Sequence, residues 1–263
     1  MTKYWAIFKI EVASMSAFRA QSFIWMMFDL CMIGGFPFIF VGILNAGGAL
    51  GQWDRQGIIS YYVMTALCTN LIWMHPEVNM SNQIREGKIT NFLVKPHSYV
   101  AYQFLRECSW KAMRTSFFLP VFLLIFMFTR EFFSIPEPSA ALRAAALLPG
   151  AAAIIFMIGF LVACSAFWIE ENSAVLLTFW MLSSTFSGFY IPLDLLPSVL
   201  ERISEFLPWR YAIYDPIAIA AGRLAEGQFQ RVVTGQLLWV LILYCTYRVI
   251  WHFGMRRYSA VGR

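Results

Sequence analysis

The sequence predicts an all-α membrane protein with six transmembrane helices. An N-terminal interfacial helix, a short cytoplasmic helix between spans two and three, and an outer re-entrant helical hairpin complete it. Three observations predict this. First, 59% of the 263 residues are hydrophobic and 13% are charged, against about a quarter charged in a soluble domain. So few polar residues cannot cover a water-facing surface, which excludes a soluble enzyme and a disordered or fibrous chain. Second, six apolar segments approach the roughly 20 residues that carry a helix across hydrocarbon. Third, all five lysines fall on one side when the segments are threaded in turn.

The N-terminal residues 1–21 are amphipathic. Trp5, Phe8, Val12 and Met15 recur at helical spacing, with Lys9, Glu11 and Ser16 elsewhere. Such a helix can lie flat at the interface, although the pattern also permits a simple extension of the first span. No short apolar stretch with a small-residue cleavage site precedes it, so no removable signal peptide is expected.

The spans follow at about 22–44, 57–79, 115–130, 144–168, 173–193 and 232–254. Lys3, Lys9, Arg19, Arg85, Lys88, Lys95, Arg106, Lys111, Arg114, Arg256, Arg257 and Arg263 then share one side. The positive-inside rule makes that side, and both termini, cytoplasmic. The outer segments hold arginines but no lysine. The net charge of +5 therefore reflects membrane orientation rather than a nucleic-acid partner. Five cysteines, four of them inside apolar runs, fit small apolar filler better than disulfides or zinc ligands.

Residues 80–114 form the long cytoplasmic loop, with a short polar helix from Ser81 to Ile89. Asn82 is expected to cap its start and Gly87 to close it in the left-handed conformation. Phe92-Leu93-Val94-Lys95-Pro96 adds an apolar patch and a proline break. This pattern suits either a ball-and-socket contact with another protein or a positive loop that only fixes orientation. Glu170 and Glu171, in the short turn between spans four and five, offer a second contact or a solvated turn.

The outer segment 189–231, with its hairpin over 194–231, is unusual. Pro192, Pro197, Pro208 and Pro216 punctuate short apolar stretches, and Leu196, Val199, Leu200, Ile203, Phe206 and Leu207 make one helical stripe. A second stretch, 211–221, is apolar but too short to cross. Broken apolar helices fit a re-entrant pair buried against protein, or an amphipathic loop on the membrane surface.

Within the spans, Asp29 demands a partner, and Arg248 at comparable depth is the expected counter-ion. His75-Pro76-Glu77 marks the inner end of span two and reads as interfacial. Gly159 with Ala163, and Ser184 with Gly188, allow close helix approach. The 13 methionines and 25 phenylalanines suit an adaptable apolar path or lipid-facing filler. There is no HExxH zinc motif, no serine elbow and no carboxylate pair inside a span. No catalytic residue and no metal ligand is therefore expected.

The string Ile84-Arg85-Glu86-Gly87-Lys88-Ile89, then Phe92-Leu93-Val94-Lys95-Pro96, resembles the cytoplasmic motif of ABC-2 type transporter permeases, in particular the daunorubicin-resistance-like branch. Gly188-Phe189-Tyr190-Ile191-Pro192, Leu195-Leu196-Pro197 and Leu207-Pro208 resemble the family's outer hairpin. The resemblance covers nearly the whole chain as a single transmembrane domain, 1–263. It implies the permease subunit of an ATP-binding cassette exporter in a bacterial plasma membrane, paired with an identical or paralogous permease. It also implies a separate ATPase subunit that carries ATP and magnesium, since this chain has no GxxxxGK[ST] loop. Asn82, Ile84, Arg85, Glu86, Gly87, Lys88 and Phe92 would form the ATPase-coupling contact, with Glu170 and Glu171 as a possible second one. Gly188, Pro192, Pro197 and Pro208 would shape an outer gate. The competing readings are an ATPase-independent transporter or channel, and a membrane anchor or assembly subunit.

Overall fold

The structure, a computed structural model, describes residues 2–15, 19–95, 97–224 and 227–258, and among these all regular structure is helical. The chain runs through α1 (Thr2–Met15), α2 (Arg19–Asn45), α3 (Arg55–Ile72), α4 (Pro76–Arg85), α5 (Thr90–Leu93) and α6 (Tyr99–Thr129). It continues through α7 (Pro138–Ala163), α8 (Ser173–Phe186), α9 (Ser198–Glu205), α10 (Asp215–Ala220) and α11 (Gln228–Arg257). Among the described residues, five helical segments are long and apolar enough to cross a bilayer, and α8 is a shorter apolar helix of 14 residues. The protein is an all-α, multi-pass membrane protein.

Burial separates a centre from a periphery. In the most apolar stretch of each span, 67% of α3–α4 and 61% of α7 is buried, against 12% of α2 and 11% of α11. The core therefore sits where α3, α4 and α7 meet. Ile58, Tyr61, Ile154, Phe160 and Ile217 are fully buried there. Aromatic edges join α7 to α11, with Phe160 5.3 Å from Tyr247 and 5.6 Å from Trp251.

Three boundaries correct the sequence reading. The third span starts at Tyr99, 16 residues before 115 (115 − 99), so the loop of 80–114 shrinks to its middle. Residues 99–114 look polar in sequence, yet Glu107, Lys111 and Arg114 share one buried helix face, and Arg106 lies 3.8 Å from Glu11 of the N-terminal helix. Span two is two helices, α3 and α4, broken at Trp73–His75, and Pro76 opens the second one. The helix expected from Ser81 is thus the end of α4, and Asn82 lies inside it instead of capping it. The fifth span, expected over 173–193, ends as helix at Phe186. Fourteen residues at about 1.5 Å each reach only about 21 Å, so Ser187–Pro192 must complete the passage outside a helix.

The α1 helix docks along α6 through its polar side. Tyr102 Oη donates to Glu11 Oε1 at 2.9 Å, and Ser109 Oγ donates to the Phe8 carbonyl at 3.3 Å. Trp5 faces outward at 59% exposure, as an interfacial aromatic would. Residues 16–18, including Ser16, lie outside the described residues.

Candidate functional site

The tip. Helix α4 ends at Arg85, and Gly87 follows at φ +70°. Lys88 N–H donates to the Gln83 carbonyl at 2.9 Å, and Gly87 N–H to that of Ile84 at 3.2 Å. This is the glycine-closed helix end anticipated from the sequence, and an L side chain at position 87 would strain it. Ile84 and Ile89 are buried beneath the turn. Glu86 and Lys88 project outward as an exposed ion pair. Asn91, Val94 and Lys95 extend the same exposed surface. Phe92 is half-buried against Tyr99 and Tyr102, with Lys95 Nζ 4.8 Å from its ring centre. Pro96 lies outside the described residues.

The two contacts separated in the sequence reading meet here. Arg85 Nη1 donates to the Glu170 carbonyl at 3.1 Å and lies 3.4 Å from Glu171 Oε2. Its Nη2 donates to Asn82 Oδ1 at 2.8 Å. Arg85 therefore binds the tip to the α7–α8 turn. Thr90 N–H donates to Tyr258 Oη at 3.2 Å, adding the end of α11. Glu171 also accepts from the Ser173 hydroxyl and backbone N–H. Those bonds first, and Arg85 second, hold its carboxyl below the ordinary glutamate value.

The break. Sequence reasoning missed a polar stripe on α6, formed by Gln103, Glu107, Lys111 and Arg114. Their spacing of four, four and three residues places them on one helix face, a signal concealed because the low hydropathy of the segment reads as a loop. Gln103 Nε2 donates to Gln83 Oε1 of α4 at 2.8 Å. Glu107 Oε2 accepts the His75 backbone N–H at 2.9 Å. Lys111 Nζ donates to the carbonyls of Thr69 and Asn70 at 3.1 and 2.9 Å. The end of α3 and the entry to α4 leave backbone groups without helical partners. The stripe supplies partners to the Asn70 carbonyl and the His75 N–H, and adds a second donor to the Thr69 carbonyl, which already accepts the Trp73 N–H.

The same stripe corrects the expected ion pair. Asp29 is bound by Arg114, whose Nη2 lies 2.5 and 2.6 Å from its two oxygens. Asn70 Nδ2 adds a bond at 3.2 Å. Arg248 lies on the exposed side of α11, where its Nη1 donates to Tyr244 Oη at 3.2 Å. The correction follows from the boundary of the third span: once α6 starts at Tyr99, Arg114 lies inside the bundle.

Beside the break, Glu77 is fully buried. Its Oε1 accepts from Trp180 Nε1 of α8 at 2.9 Å and lies 3.0 Å from His75 Nδ1. A Cβ on Gly159 would stand 2.7 Å from Glu77 Oε2 and 3.0 Å from Pro76. Gly159 is thus the small residue that lets α7 approach α4.

The hairpin end. Gly188 turns the chain at φ +78° after α8. Tyr61 Oη donates to the Gly188 carbonyl at 2.5 Å, and Tyr62 Oη to the Tyr190 carbonyl at 2.6 Å. These bonds satisfy backbone that has left the helix at membrane depth. A Cβ on residue 188 would stand 2.6 Å from Tyr61 Oη and 2.9 Å from Tyr214. Trp53 Nε1 donates to Asp194 at 2.8 Å, and the Arg223 guanidinium lies 3.2 Å from the Trp53 ring centre. Together they tie the α2–α3 turn to the hairpin.

Pro192 is buried and opens a 3-10 turn, Pro197 precedes α9, and Pro208 is buried. The two arms differ from the expected buried pair. The second arm, a wide π turn at Arg210–Tyr214 leading into α10, is buried. Asp215 begins α10 fully buried, with Arg210 Nε at 3.3 Å and Arg231 Nη2 at 3.8 Å. Its carboxyl is raised because burial outweighs both arginines. The first arm exposes its apolar stripe, with Val199 at 67% and Phe206 at 77%, because α9 has no neighbouring helix on that side among the described residues.

A bundle of crossing helices, with a capped tip at one end and a non-helical passage roofed by a hairpin at the other, defines a multi-pass membrane protein. The chain belongs to the ABC-2 transporter family: the family model described as ABC-2 family transporter protein matches residues 30–262. It is the membrane-embedded component of a transporter. No curated protein matches the chain.

Proposed function

We propose that this permease exports a hydrophobic or amphipathic substrate across a bacterial plasma membrane, using ATP hydrolysed on a separate ATP-binding cassette subunit. Both termini and the tip face the cytoplasm, and two permeases, identical or paralogous, form the path. The ATPase docks on the exposed surface made by Glu86, Lys88, Asn91, Val94 and Lys95. Ile84, Gly87 and Phe92 shape that surface from beneath, while Asn82, Arg85, Glu170 and Glu171 brace it. The observation that carries this reading is the tip itself. A rigid, charged, outward-facing turn has a buried apolar base and is bonded to α7–α8, α6 and α11.

Closure of two ATPases on ATP draws the tips together, and α4 passes the motion to the break at Trp73–His75. The outer passage beneath Gly188, Pro192, Pro197 and Pro208 then opens. Each state is favoured only by the contacts it gains.

The test is co-expression with the genomic neighbours of the coding sequence. An ATPase subunit should co-purify stoichiometrically, and the double variant Glu86→Ala/Lys88→Ala should lose most of it while keeping wild-type thermal stability. An ATPase-independent transporter or channel, or a simple anchor, would instead retain its activity with no such subunit. Retained coupling in the double variant would overturn the assigned contact.

A further inference from the structure

Helix α11 has two dissimilar sides. Leu243, Tyr247, Trp251 and Gly254 turn toward the bundle, where Leu243 and Gly254 are buried and Trp251 meets Tyr99, Phe160 and Phe167. Arg248, His252 and Arg256 lie on the other side, all exposed. They are four residues apart, so they form one stripe along the last turns of the helix. Leu241, Val249 and Phe253, at 59, 55 and 56% exposure, flank the stripe with apolar surface suited to acyl chains. The stripe and its neighbours line an open hollow along the helix.

No carboxylate among the described residues forms a salt bridge with Arg248 or Arg256. Arg248 stands nine residues before the helix end at Arg257 (257 − 248), a distance of about 14 Å along the axis. A long cation at such depth usually reaches toward the nearer interface. Here the guanidinium points the other way, back along the helix, and donates to Tyr244 Oη at 3.2 Å. Its remaining N–H donors are left on the exposed side of α11, open to an anion.

We propose that Arg248, His252 and Arg256 form a binding site for the phosphate headgroup of an anionic phospholipid, in the leaflet that meets the C-terminal end of α11. The two guanidiniums grip the phosphate with charge-assisted, bidentate hydrogen bonds. His252 lies between them, and the acyl chains run along Leu241, Val249 and Phe253. Charge complementarity selects an anionic lipid over a zwitterionic one, whose choline would face the same cations. The site rests on the chain being a membrane protein and does not depend on an ATPase or on the orientation of the termini.

The experiment is native mass spectrometry of the purified chain. It is released from nanodiscs of equal parts palmitoyl-oleoyl phosphatidylglycerol and the matching phosphatidylcholine, with inorganic phosphate alone as a separate arm. Phosphatidylglycerol should be retained preferentially, and phosphate alone should not bind measurably. Arg248→Gln should lower the retained anionic lipid about fivefold, the factor expected for one basic side chain at a membrane surface. Arg248→Lys should fall between the two, and Arg202→Gln, which removes equal charge from α9, should match the wild-type chain. Equal retention of both lipids, an unaltered Arg248→Gln variant, or equal loss in Arg202→Gln would overturn the site.

Discussion

Among the described residues, the backbone leaves the helix within the bundle at Trp73–His75 and at Ser187–Pro192, and the two places are closed by different chemistry. At Trp73–His75 the loose ends of α3 and α4 are held by a lysine and a glutamate from α6. At Ser187–Pro192 the passage after α8 is held by two neutral tyrosine hydroxyls from α3. Unpaired peptide groups are costly in both places, since lipid offers no partner. The break also carries the buried Asp29–Arg114 ion pair, and Glu77 beside His75. The hairpin end keeps its charges in Asp194, Arg210 and Asp215, beside the passage rather than on it. The first closure is an ionic network linking α2, α3, α4 and α6. The second is a local clamp within a wall of aromatic rings.

The comparison can be broken from the ionic side first. Arg114→Met leaves Asp29 buried without its partner and should cost about 3–5 kcal/mol, read as a large fall in the thermal midpoint of the purified chain. Adding Asp29→Asn to that variant should recover most of the loss, since no uncompensated charge then remains. Lys111→Met, which strips one donor from the Thr69 and Asn70 carbonyls, should cost about 1–3 kcal/mol by the same measurement.

The neutral side should respond less. Tyr61→Phe removes one hydrogen bond and keeps the packed ring, an expected loss of about 0.5–1.5 kcal/mol. If Tyr61→Phe proves as damaging as Arg114→Met, the two closures do not differ in kind.

The smallest effect lies at the tip. The Glu171 carboxyl is held below its ordinary value of 4.5, so the bonds it contributes at the start of α8 persist above that pH. They are lost only as pH falls through the lowered value. Amide exchange at Ser173 should therefore be constant from neutral pH down to about 5, once corrected for intrinsic rates, and speed up below the ordinary glutamate range.

The apolar patterning made the membrane class and five of the long helices legible, because a run of about 20 apolar residues has few other uses. Gly87 was legible too, since a glycine after a polar helical stretch has a specific backbone role. What the sequence hid was hidden by polarity. Gln103, Glu107, Lys111 and Arg114 lower the hydropathy of residues 99–114, and only their shared helix face reveals a span packed against protein. Misplacing that boundary also misassigned the partner of Asp29, since Arg248 seemed the only cation at its depth. The hairpin was half legible: proline spacing indicates short helices, whereas burial of α10 and exposure of α9 depend on neighbours distant in sequence.

The proposal that this permease is driven by an ATPase gripping its tip meets its sharpest test in hydrogen–deuterium exchange on the chain with and without the co-purified ATPase. The account predicts new protection across Glu86–Lys95 and none at Ser198–Phe206 on the opposite end. A tip whose exchange is unaltered by the ATPase, or protection appearing only at the hairpin, would contradict it.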